Sequence, residues 1–158
     1  MAPTPQTPQT PQTPQTPHLT VSLPPHWRRR AEPDHGVLVH ATAATAPASG
    51  VRPEVVVRCE PAGADVGVGA WRSEAVAALA ARLPDFELED ADEYDLDGRP
   101  VAYHRFAHRG PLGDLVSEQW GWLGGGLGTC LTATVARADY AEWCEVFEAI
   151  AETLEPPC

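Results

Sequence analysis

The densest chemistry in the chain is acidic. Residues 85–97 hold eight carboxylates: Asp85, Glu87, Glu89, Asp90, Asp92, Glu93, Asp95 and Asp97. A calcium loop begun at Glu93 would find Asp95, Asp97 and Gly98 at useful offsets. Its twelfth position is His104, where a bidentate glutamate belongs, and Pro100 interrupts it. A charged, solvated strand that resists edge pairing accounts for the run better. Downstream, His104, Phe106 and His108 share one face of a strand. At a rise of roughly 3.3 Å per residue the two imidazoles stand ~13 Å apart, too far for one metal without a third element such as the strand of His40. No metal and no cofactor is expected.

Nucleophile signals are weak. The serines are Ser22, Ser49, Ser73 and Ser117, and none sits in G-x-S-x-G. Cys59, Cys130, Cys144 and Cys158 form no C-x-x-C pair and have no histidine at zinc-finger spacing, so free thiols are expected. Gly121, Gly124, Gly125, Gly126 and Gly128 look like a phosphate loop only in composition. A strand follows them, so no helix N-terminus would face the ligand.

Trp120 and Trp122 share a strand face beside this glycine turn. Covered by the C-terminal helix, they are core. Uncovered, they form a partner-binding patch rimmed by Glu118 and Gln119, because tryptophan is enriched at the energetic centres of interfaces.

Composition removes further classes. The 158 residues include 22 Asp and Glu against 11 Arg, with no lysine, for a net charge of −11. Without lysine there is no P-loop lysine and no Schiff-base chemistry. Nucleic-acid binding rests on basic side chains neutralising phosphates, which disfavours so acidic a chain, and Arg28-Arg29-Arg30 reads as a solvated strand end. No apolar window of 18 residues exists, so no direct membrane insertion is expected. With neither a basic n-region nor an apolar h-region at the N-terminus, cytoplasmic residence is the expectation.

The elements that must position these residues follow from periodicity. Residues 4–17 repeat Thr-Pro-Gln, a polyproline-like period with nothing apolar to bury, so 1–17 reads as a disordered tail and 18–158 as a single α+β domain. Period-2 runs predict strands over 18–23, 36–42 and 54–60. A helix over 71–83 has Val76, Leu79 and Leu83 on its apolar face and Arg72, Glu74 and Arg82 on its polar one.

Strands over 86–96 and 99–108 flank Asp97-Gly98, a strong hairpin signal. Strands over 115–123 and 127–136 flank a glycine turn. A final helix over 138–154 has Asp139 as N-cap and repeats Trp143, Phe147, Ile150 and Leu154 along one stripe. This order describes a central antiparallel β-sheet of about seven strands covered by helices.

The succession, with its landmarks, resembles the LpqN-like family of actinobacteria within the wider PsbP-like fold. The landmarks are Leu23-Pro24-Pro25-His26-Trp27, the mid-chain helix, the turn at Leu96-Asp97-Gly98-Arg99-Pro100, Gln119-Trp120, and the strand 131–134 running into an aromatic helix. The resemblance spans roughly residues 18–155. It implies an α/β/α sandwich without catalytic residues, whose relatives include envelope lipoproteins, photosystem II subunits and a Ran-binding protein. Envelope association follows by that analogy, although a lipobox is not seen.

The expected function is therefore a non-catalytic accessory, adaptor or chaperone-like module that binds a protein partner, with homodimerisation as one form of partnering. Trp120, Trp122, Glu118 and Gln119 would carry that contact. The alternative is a small-molecule or lipid-like ligand binder with a sheet–helix pocket lined by Trp27, Phe106 and Trp143.

Overall fold

A computed structural model describes residues 18–30 and 36–157; the Thr-Pro-Gln tail expected over 1–17, and Cys158, lie outside the described residues. In chain order the elements are β1 (Arg28–Arg29), β2 (Val37–Thr42), β3 (Glu54–Pro61), α1 (Val68–Arg82), β4 (Glu87–Leu96) and β5 (Arg99–Gly110). Then come β6 (Gly113–Gly124), β7 (Leu127–Ala136), a 3-10 turn at Arg137–Asp139 and α2 (Tyr140–Glu152).

Tight turns build the larger half of the sheet. Asp97 and Gly98 take φ of 52° and 79°, closing β4 on β5 with Leu96 opposite Arg99. Gly125 and Gly126, at 58° and 75°, close β6 on β7 in the same way. Both central residues of such a turn need the left-handed region, which Asp-Gly and Gly-Gly enter at least cost. Strand β7 then returns to pair with β3, giving a seven-stranded antiparallel sheet in the order β1-β2-β3-β7-β6-β5-β4.

Alternation along the strands sends residues to two unlike faces. One face carries Val55, Val57, Leu131, Ala133, Val135, Trp120 and Trp122, and Phe147, Ile150 and Leu154 of the α2 region pack with them into a hydrophobic core. The other face carries Ser117, Gln119, Cys130, Thr132 and Thr134, and α1 lies over it. The result is the α/β/α arrangement with one helix on each side.

The expected strand over 18–23 is instead an extended segment touching the sheet's partner helix end through one bridge, Thr20 to Glu155. Val21 is nevertheless buried, with Leu19 and Leu23 packed beside it, so the alternation reported burial without a ladder. Asp139 precedes α2, yet its side chain caps nothing; it accepts a hydrogen bond from the Ser49 hydroxyl. The acidic run is where its charge predicted, on the exposed outermost strand β4.

Arg72 departs furthest from expectation. It belongs to the buried stripe of α1 with Val76 and is 4% exposed. Gly121 explains how: a side-chain carbon there would stand 2.5 Å from Arg72 Cδ. At Gly128 it would stand 2.3 Å from the Trp71 ring. Two glycines in adjacent strands thus let the first helical turn settle onto the sheet.

Candidate ligand pocket

Because α1 rests on the glycines at its N-terminal end, the remainder of its length roofs a cleft of about 520 Å³ over the polar sheet face. Val56, Leu79, Leu83, Phe106 and Leu115 supply apolar walls; Ser117, Gln119, Cys130, Thr132 and Thr134 bring polar atoms from β6 and β7. A cleft with apolar walls and a few converging polar groups falls within the roughly 300–1,000 Å³ range of small-molecule sites.

The polar groups are held in two chains of hydrogen bonds. In the first, Arg72 Nη2 donates to Gln119 Oε1 at 2.7 Å, and Gln119 Nε2 donates to Thr132 Oγ1 at 3.1 Å. The Arg72 guanidinium also stacks over the Trp71 ring, 4.8 Å from its centroid. In the second, Ser117 Oγ lies 3.1 Å from His108 Nε2 and 2.8 Å from Thr134 Oγ1.

A serine beside an imidazole is the beginning of a nucleophile–base pair. Among the described residues, however, no hydrogen-bond partner orients the other ring nitrogen of His108, the third role such a pair uses. Cys130 is no better prepared, since burial pushes its thiol upward, away from the reactive thiolate.

The sequence-predicted site residues are divided by the sheet. Phe106 lines the cleft, whereas Trp27 and Trp143 meet edge to face at 6.0 Å beside the opposite core. The pocket expected from these three residues is therefore not assembled. Phe106 follows the parity of His104 and His108, while Trp143 follows α2.

Trp120 and Trp122 are each 3% exposed beneath α2, so they supply core instead of a free surface. Glu118 and Gln119 are also buried and, being consecutive in β6, point to opposite faces. They form no common rim.

Glu118 has a role that the sequence did not reveal. Tyr103 and Tyr140 each donate a hydroxyl hydrogen bond to its Oε1 at 2.7 Å, while Oε2 is enclosed without a partner. Burial raises its carboxyl above the ordinary range, opposed by the two tyrosines and by Arg105. Tyr94 and Trp120 join this cluster through an indole-to-hydroxyl bond of 3.0 Å, beside a second cleft of about 350 Å³. The only advance signal was the parity of Tyr103 and Glu118 in strands that would have to pair.

No helix among the described residues is long and apolar enough to cross a membrane. No family model and no curated protein matches the chain. Solved structures do. LpqN of Mycobacterium tuberculosis, described as involved in cell envelope biogenesis, superposes with a TM-score of 0.70 at 14% identity, covering 92% of this chain and 87% of LpqN. Cyanobacterial PsbP from Synechocystis sp. PCC 6803 gives 0.64 at 12% identity, covering 94% and 98%. The Ran-binding protein Mog1p of Saccharomyces cerevisiae gives 0.61 at 8% identity, covering 87% and 89%. At these identities the likeness is one of architecture: the chain has the α+β sandwich fold shared by LpqN and PsbP.

Proposed function

We propose that this chain is a non-catalytic binding module that holds a small organic ligand between α1 and the sheet. The observation that carries the reading is the cleft of about 520 Å³, with apolar walls and a hydrogen-bonded polar floor. On the opposite face of the same sheet α2 packs Phe147 and Ile150 into the core and leaves a smaller cleft of about 350 Å³. The fold's occurrence in an envelope-biogenesis protein supports an envelope-linked setting for that work. A protein partner is the second reading, favoured by the Ran-binding relative.

Native mass spectrometry of the chain purified from its own cells tests the first reading. A retained adduct of small-molecule mass is expected, and it should disappear in Thr132→Trp, which fills the cleft from its floor, with the circular dichroism spectrum unchanged. An adduct equally retained by that variant would remove the cleft from consideration.

A further inference from the structure

We propose that the cleft selects organic anions and that Arg72 seats their charged end; this rests on the ligand-binding reading above. The ligand class is an apolar body ending in a carboxylate or another oxyanion. Arg72 is 4% exposed and lines the cleft, yet no carboxylate stands within ion-pair distance of it among the described residues. Its guanidinium has one hydrogen bond there, to the neutral amide of Gln119, and Nε is enclosed with no partner at all. A buried cation is costly unless paired, and guanidinium presents a planar fork of donors that matches an oxyanion.

The other charges of the lining do not neutralise Arg72. Glu54 and Glu60 also line the cleft, but Glu54 is paired with His40 at 2.9 Å and Glu60 accepts from the Trp71 indole at 3.3 Å. Arg58 and Arg82 add two further positive charges to the lining. In a chain of net charge −11, this lining is a local reversal of sign. Glu93 acts on His104, itself influenced by Arg72, but forms no ion pair with Arg72.

The test compares two fluorescent probes that share an aromatic body. 8-Anilinonaphthalene-1-sulfonate carries an anionic group, and N-phenyl-1-naphthylamine lacks it. The full chain should bind the sulfonate at least tenfold more tightly than the neutral probe. Arg72→Met should abolish that preference, and Arg72→Lys should restore part of it. Equal affinities in the unmodified chain would overturn the anion inference while leaving the cleft a ligand site, and this comparison stands even where Arg72→Met does not fold. An undiminished preference in a folded Arg72→Met would overturn it as well. If neither probe bound, or if Thr132→Trp bound both as well as the unmodified chain, the cleft reading itself would fall.

Discussion

Arg72 and Gln119 join helix to sheet through a single 2.7 Å hydrogen bond from Nη2 to Oε1, with both side chains buried. The bond links the element that roofs the cleft to the strand that floors it. Replacing only the acceptor, as in Gln119→Leu, leaves a buried guanidinium with no described hydrogen-bond partner. A loss of about 1–3 kcal/mol is expected, the usual cost of stranding such a donor. Combining Gln119→Leu with Arg72→Met should recover part of it, and urea unfolding of the four proteins measures the coupling.

The glycine seat of α1 is tested by steric addition. Gly128→Ala places a methyl 2.3 Å from the Trp71 ring and should cost about 1–3 kcal/mol by overpacking. Gly124→Ala, in the same hairpin but with nothing within 4 Å, should cost far less. Hydrogen exchange adds the location: protection should fall over α1 in the first variant, leaving the α2 core protected.

Acid should loosen the α1 face. Burial holds His104 and His108 below the ordinary imidazole value of 6.5, with the charge of Arg72 acting in the same direction on His104 and Glu93 opposing it. The unfolded chain therefore takes up protons first as pH falls through 6.5, and stability declines until the folded imidazoles also titrate. Denaturation midpoints measured from pH 7.5 to 5 should fall more steeply for the unmodified chain than for His104→Asn/His108→Asn. Parallel curves would show that neither histidine contributes.

Glu118 carries the opposite linkage. Its raised carboxyl favours the folded state below the unfolded carboxyl value, and that advantage is lost as pH rises through the folded value. Glu118→Gln keeps an oxygen for Tyr103 and Tyr140 while removing the charge, so neutral-pH stability should hold or rise. Glu118→Leu removes the acceptor of both hydroxyl protons and should cost about 1–3 kcal/mol. Chemical denaturation at pH 7 separates the two outcomes.

Much of the architecture was legible because strand alternation and turn chemistry are local. Asp97-Gly98 and the triple glycine named their hairpins, and the Trp143–Leu154 stripe named the helix that closes the core. The site was less legible because it depends on two-sided pairing. Arg72 read as solvent-facing from charge alone; the glycine that makes room for it, Gly121, lies roughly fifty residues away in another element. Trp120 and Trp122 read either as core or as patch until α2 was placed over them. Phe106, Trp27 and Trp143 were grouped by aromaticity, which carries no information about which side of a sheet each will occupy.

The two ends of the sheet have a consequence for crowding. One edge, β1, is only two residues long, and the other, β4, exposes a row of carboxylates. A second copy approaching β4 edge to edge would set negative charge against negative charge over the whole prospective ladder, and β1 offers too little backbone to extend one. At neutral pH that repulsion therefore works against fibril-like growth of the sheet even at high concentration. Near the isoelectric point of about 4.8 the net charge of the whole chain vanishes, and with it the long-range repulsion between copies.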